Sequence, residues 1–268
     1  MEITSKDNSR LKHARAVRDG REKDWLFIEG LRLAEELAAS NLEVTDFFFT
    51  PEFAANERGA NLLAKFPDFR GAVLSEKLLE SISDTKTPQG MVVLASKPAT
   101  GRGVLSSEML RRGEEASLLV ILHKLNNPAN IGAILRTAEA AGCSGAILTS
   151  GSADVFSPRS LRGSMGSAFR LPLWTNAAFG EAIEFCRAHK IKTVCAELNA
   201  RKAHTEIDWT CARALIVGSE ADGLALAEIA LTDESIQIQM QPPVESLNVA
   251  VACGVILYEA ARQRQFAN

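Results

Sequence analysis

The sequence predicts an α/β protein in two parts: a C-terminal parallel sheet with helices on both faces, and a smaller α/β region before it. Three observations predict this. Short apolar runs rich in β-branched residues alternate with runs of helical period along the chain. Its 268 residues suffice for one large domain or two ordinary ones. SKPATGRG (Ser96 to Gly103) has linker composition and divides the alternation in two. The expected parts are residues 1–97, a linker over 98–115, and residues 116–268.

In the first part WLFIEG, VTDFFFT and MVVLAS read as strands, and LRLAEELAAS and SEKLLESIS as helices. In the second part SLLVILH, GAILTS, KTVCAEL, ALIVGS and SIQIQM read as strands. Between and after them NIGAILRTAEAAG, FGEAIEFCRAHK and LNVAVACGVILYEAARQR read as helices. Strands alternating with helices pair in parallel, and ligands of such sheets gather at the carboxyl ends of the strands. The loops that follow strands are therefore where chemistry is expected.

Composition narrows the function. With 46% hydrophobic and 24% charged residues the chain is globular, and no apolar run approaches a membrane span. MEITSKDNSR at the start has no apolar stretch and does not read as a signal peptide. Cys143, Cys186, Cys195, Cys211 and Cys253 are odd in number and unpaired in spacing, which suits a reducing compartment. The four histidines are scattered, so no metal site is expected. A net charge of -3 argues against broad electrostatic wrapping of nucleic acid but leaves room for a local basic surface. Lys6, Arg10, Lys12, Arg15, Arg18, Arg21 and Lys23 crowd the N-terminus, diluted by acidic neighbours, and read equally well as a solvated helix face.

Three loops are candidates. In HKLNNPANIGAILRTAEAAG, Asn130 is placed to cap a helix that Gly142 stops. Ile131, Ile134, Leu135, Ala138 and Ala141 form its core stripe, and Arg136 projects away from it among small residues. Taken alone, this segment is better explained as an ordinary amphipathic helix with one exposed arginine. In ALIVGSEADGLA, Gly218 and Gly223 permit close backbone approach and Glu220 offers a carboxylate, although a tight turn would look the same. In SIQIQMQPPVESLNVAVACGVILYEAARQR, Ser246 is placed at the N-cap of a long helix, apolar nearly all round and hence expected to be buried. There Ser246 and Asn248 could serve the helix cap or a ligand.

Taken in order, these loops resemble the three signature motifs of the SpoU-type, TrmH-like RNA 2′-O-ribose methyltransferases of the knotted SPOUT superfamily. Asn130, Gly132, Arg136 and Thr137 match the first; Gly218, Glu220, Gly223 and Leu224 the second; Ser246, Leu247 and Asn248 the third. FSPRSLRGSMGSAFRLP also looks like the family, and the resemblance spans residues 116–268. The segment ITSKDNSRLKHARAVRDGREKDWLFIEGLRLAEE looks like the substrate-recognition domain such enzymes carry, similar in fold to ribosomal protein L30e. The sequence departs from the family at His123, where an acidic or polar residue is usual, and at QPPVE, where a glycine is common.

The resemblance implies a C-terminal trefoil knot, S-adenosylmethionine held around Leu198, Gly218, Ile238, Met240 and Leu247, and a cytoplasmic homodimer with its site near the subunit interface. It implies catalytic roles for Arg136, Asn130, Glu220, Ser246 and Asn248, and RNA contacts at Arg10, Lys12, Arg159, Arg162 and Ser164. The added N-terminal domain favours ribosomal over transfer RNA. A guanidinium stays protonated above pKa ~12, so Arg136 suits phosphate positioning and alkoxide stabilisation better than proton abstraction. The alternatives are an inactive RNA-binding protein of the same fold and a doubly wound dehydrogenase, the latter disfavoured because no glycine fingerprint occurs.

Overall fold

The computed structural model describes residues 1–66, 69–112, 117–219 and 223–266, with side chains at 110–112 and 266 left aside. The chain divides into two compact units, Met1–Pro98 with Phe156–Arg170, and Ala99–Val155 with Leu171–Asn268.

The first unit holds a sheet of β1 (Trp25–Glu29), β2 (Val44–Phe49), β3 (Arg70–Val73) and β4 (Met91–Ser96) in the order β1-β4-β2-β3. β4 runs antiparallel to β1 and β2, and β2 pairs with β3 in parallel. Helix Ser9–Arg18 begins at Asn8, whose side chain accepts from the Arg10 amide at 2.9 Å. It lays Leu11, Ala14 and Val17 on the sheet among Phe27, Phe48, Val92 and Leu94. Helix Pro158–Ser164, with proline at its first turn, also belongs to this unit.

The second unit holds β5 (Leu118–Leu122), β6 (Gly145–Thr149), β7 (Leu173–Ala177), β8 (Lys192–Ala196), β9 (Lys202–Ala203), β10 (Arg213–Val217) and β11 (Glu234–Gln237). Their order is β7-β6-β5-β10-β8-β11-β9, and every pairing is parallel. β5, β6 and β10 are buried at every position, as covering on both faces requires. Ile121, Ile147 and Ile216 meet Leu105 and Met109 of helix Arg102–Arg112 and Phe185 of helix Phe179–Ala188. Helices Pro128–Ala140 and Val249–Phe266 pack on each other and against β6 and β10. Among the described residues no helix is long and apolar enough to cross a membrane.

The structure differs from the sequence reading in several local features. Where a linker is expected over 98–115, helix Arg102–Arg112 buries Leu105 and Met109; VLSSEMLRR, after Gly103, contains no Gly or Pro and is helical. The first-motif helix is capped by Asn127, not Asn130, because Pro128 fits the first helical position and Asn127 accepts from the Ala129 amide at 3.0 Å. The last helix starts at Val249, not after Ser246, because the Asn248 carboxamide accepts from the Ala250 amide at 2.9 Å. That helix is not buried all round: Val251 (53% exposed), Val255 (39%) and Tyr258 (56%) form an uncovered apolar face at positions i, i+4 and i+7.

Candidate functional site

β10, β8 and β11 are neighbours, so the loops leaving their carboxyl ends converge. Between these loops lies a cleft of about 650 Å³. Leu198, Ile238, Met240, Leu247 and Ile229 give it apolar walls that suit a flat ring, while Glu197, Asn199, Gln237 and Ser219 supply polar groups. Gly218, Ser246 and Asn248 also line it. All five residues expected to hold the cofactor thus border one cleft, reached from three separate loops.

Two glycines shape the cleft. A Cβ at Gly218 would lie 2.4 Å from the carbonyl carbon of Gly223 and 2.6 Å from its oxygen. Gly223 sits at φ +65, and Ser219 and Gly223 exchange backbone hydrogen bonds of 3.2 and 3.1 Å. Glu220, expected to be catalytic, lies outside the described residues.

Asn248 Nδ2 donates to Asn130 Oδ1 at 3.2 Å, which ties the start of the last helix to the first-motif helix. Asn248 is exposed there, so it meets Asn130 at the surface and not within a buried helix start. Thr137 faces Gly254 across the helix pair, and its hydroxyl donates to the Ala133 carbonyl at 2.9 Å. Arg136 is exposed, does not line the cleft, and makes no hydrogen bond or ion pair among the described residues. Within one chain, then, Ser246 and Asn248 line the cleft, Asn130 is tied to it through Asn248, and Arg136 does not line it.

A further cluster escapes the motif reading. His123 follows β5 and is buried; its Nε2 lies 2.9 Å from Glu228 Oε1 and its Nδ1 3.0 Å from Thr149 Oγ1. Lys124 Nζ donates to Glu228 Oε1 at 2.8 Å, and the Ala225 amide to Glu228 Oε2 at 2.9 Å. Thr149 accepts from the Lys124 amide, so its hydroxyl hydrogen turns to Nδ1, and the imidazole hydrogen sits on Nε2 facing the carboxylate. Burial pushes the imidazole below its ordinary 6.5, with Lys124 adding to the effect against the pull of Glu228. For Glu228 burial acts upward, but hydrogen bonds from Lys124, the Ala225 amide and His123 outweigh it and hold the carboxyl at about 2. His123 stood out in the sequence only as a departure, and its partner lies 105 residues away, which no local pattern reveals.

Both shifts are downward, which fixes the sign of a pH effect. The unfolded chain binds the extra proton first, so stability is lost as pH falls below 6.5 through the folded value of His123, and again below 4.5 towards about 2 for Glu228. The melting temperature of the protein is expected to fall on acidification in these two windows. His123→Gln should flatten the upper one alone; an unchanged upper limb in that variant would refute the assignment.

The residues expected to touch RNA sit in the first unit. Arg10 is engaged there: Nε donates to the buried Asp46 carboxylate at 2.7 Å, a terminal nitrogen donates to the Arg70 carbonyl, and the guanidinium covers the Phe48 ring. Lys12 and Arg159 are exposed. Arg162 pairs with Asp84 at 2.8 Å and leaves its buried Nη1 without a partner. Ser164 is fully buried and donates to the Leu161 carbonyl at 3.0 Å. Among the described residues no group of His, Cys, Asp and Glu side chains is arranged to hold a metal ion.

Comparison with known proteins matches two stretches of the chain. Residues 117–258 match the SpoU rRNA Methylase family, and residues 8–93 the MRM3-like substrate binding domain. An uncharacterized tRNA/rRNA methyltransferase of Synechocystis is 30% identical over 98% of this chain and 94% of its own. The 23S rRNA (guanosine(2553)-2'-O)-methyltransferase RlmP of Bacillus subtilis is 30% identical, covering 69% of this chain and 70% of its own. The crystal structure of the SpoU methyltransferase AviRb from Streptomyces viridochromogenes with the cofactor AdoMet superposes with a TM-score of 0.86 at 26% identity, covering 96% of this chain and 98% of that one.

Proposed function

The chain belongs to the SpoU rRNA methylase family, and on that premise we propose that it methylates a ribose 2′-hydroxyl of ribosomal RNA. It is an RNA ribose 2′-O-methyltransferase that uses S-adenosylmethionine. The observation that carries this reading is the cleft at the ends of β8, β10 and β11, where residues of the second and third motifs meet. Its donor set fits the cofactor: Leu198, Ile238, Met240 and Leu247 for the adenine face, and the narrow backbone at Gly218 for close approach. An inactive RNA-binding protein is not favoured, since Asn130, Arg136, Ser246 and Asn248 are all present.

When bound, S-adenosylmethionine supplies an electrophilic sulfonium methyl. The ribose oxygen would take that methyl as the C–S bond broke, with the thioether S-adenosylhomocysteine as leaving group and the hydroxyl proton passing to water. Attack distance and angle dominate such a step, so the protein contributes mainly by positioning. Arg136 would hold the neighbouring phosphate and stabilise the developing alkoxide, with Asn130, Ser246 and Asn248 orienting the ribose and Glu220 supporting the cofactor loop.

The domain roles belong to the same reading. Residues 1–97 would recognise RNA, and residues 116–268 would carry the reaction and a C-terminal trefoil knot. Lys12, Arg159 and Arg162 would contact RNA, while Arg10 is held by Asp46 and Ser164 lies buried in its helix. A homodimer is supported by two facts: Arg136 stands apart from its own chain's cleft, and the helix packed on Arg136's helix exposes Val251, Val255 and Tyr258. The unpaired spacing of the cysteines supports a cytoplasmic location.

The test is product chemistry. A methylated 2′-oxygen cannot attack the adjacent phosphodiester, so ribosomal RNA treated with the protein and methyl-labelled S-adenosylmethionine should carry label and resist alkaline cleavage at one site. Label on a base, with ordinary cleavage there, would overturn the ribose assignment.

A further inference from the structure

The motif residues do not explain what holds the wall of the cleft formed by helix Leu226–Ile229. Four residues make a helix too short to hold its own shape, since nucleation costs more than a single turn returns. Apolar burial supplies only part of the hold: Leu224 is buried and Ile229 packs part-buried on the core, but Leu226 is 86% exposed and the rest of Gly223 to Leu231 is exposed or half-buried. Yet Leu226 and Ile229 line the cleft.

Polar anchoring adds to this packing. Glu228 caps its own helix through the Ala225 amide and turns its other oxygen to His123 Nε2. His123 is rigid, with Thr149 on Nδ1 and the Phe179 ring 4.5 Å away. Its backbone amide donates to the Val217 carbonyl at 2.9 Å, at the residue where the cleft loop leaves β10. One residue therefore grips both ends of the loop between Val217 and Glu228, by its backbone at one end and its imidazole at the other.

We propose that His123 is a positioning residue for the cofactor cleft, which acts by fixing Glu228 and with it the wall of Leu226 and Ile229. Lys124 shares Glu228 from the exposed side, where solvent weakens its hold. The buried donor from His123 carries the direction. This proposal rests on the reading above only for the identity of the ligand.

The experiment measures S-adenosylmethionine affinity by calorimetry, and amide exchange of residues 225–230 without ligand, on the full chain. His123→Phe keeps the ring against Phe179 and removes the donor; affinity should fall about tenfold, the worth of one charge-assisted hydrogen bond. Exchange at 225–230 should rise about as much, with helix Phe179–Ala188 unaffected. His123→Gln can still present a donor to Glu228 and should stay within about threefold of the unaltered protein. Glu228→Ala should lose at least as much as His123→Phe, and the double variant no more than Glu228→Ala, since the two act through one contact. Unchanged affinity and exchange in His123→Phe, or losses that simply add, would overturn the proposal. If His123→Phe does not fold, Glu228→Ala at its part-exposed site decides, and unaltered exchange at 225–230 refutes the latch. If the unaltered protein binds no S-adenosylmethionine, the functional reading falls while the exchange measurement still judges the latch.

Discussion

Arg136→Ala is expected to slow methyl transfer about a hundredfold or more while leaving melting temperature and S-adenosylmethionine affinity close to those of the unaltered protein. The magnitude is that of removing one preorganised donor from a developing oxyanion. The specificity of the loss follows from placement. Arg136 is exposed, makes no hydrogen bond or ion pair among the described residues, and does not line the cleft, so removing it costs neither packing nor cofactor contact. Arg136→Lys should recover little, because an ammonium cannot offer a planar two-pronged contact to a phosphate. Single-turnover transfer to ribosomal RNA, with melting and calorimetry on the same samples, separates the outcomes. Full activity in Arg136→Ala would refute the role. Lost activity with a collapsed melting temperature would make Arg136 a structural residue of its helix.

Much of the larger sheet was legible because β5, β6 and β10 are buried on both faces and read as continuous apolar runs. β9 was not, since two residues, Lys202 and Ala203, form a strand only by pairing with β11. β7 was missed because LWTNA alternates poorly and bends at Asn176, where φ is +57. β3 is short and part-exposed, and exists by pairing with β2. Helix starts erred where two asparagines lie close together: Asn127 and Asn130 are both good caps, and only the chain's path at Pro128 decides between them. The cleft residues could be named from the family resemblance, and the cleft they line lies where the loops after β8, β10 and β11 meet. The His123–Glu228 contact could not, because a buried imidazole and a distant carboxylate carry no shared spacing in sequence. Arg10 shows what a basic cluster hides in sequence: Asp46, buried beneath it, holds this arginine in an ion pair that no local pattern reveals.

Gly218→Ala is expected to abolish measurable S-adenosylmethionine binding, and with it methyl transfer. The added methyl would meet the carbonyl carbon and oxygen of Gly223 at 2.4 and 2.6 Å and Leu224 Cδ1 at 2.6 Å. Leu224 can turn aside, but the Gly223 atoms are backbone, fixed by the paired hydrogen bonds with Ser219. Relief therefore requires the two arms of the loop to part, which widens the cleft at the point where close backbone approach makes it narrow. β10 itself ends at Val217 and is buried among its neighbours, so the sheet should survive and the melting temperature without ligand should fall only modestly. Gly180→Ala is the matching control: a methyl there meets nothing within 4 Å, and it lies in helix Phe179–Ala188, where alanine is favoured over glycine by up to about 1 kcal/mol. Calorimetry should show undiminished binding in that control and none in Gly218→Ala. Ordinary affinity in Gly218→Ala would mean that the loop yields without touching the ligand, and the cofactor would have to be sought outside this cleft.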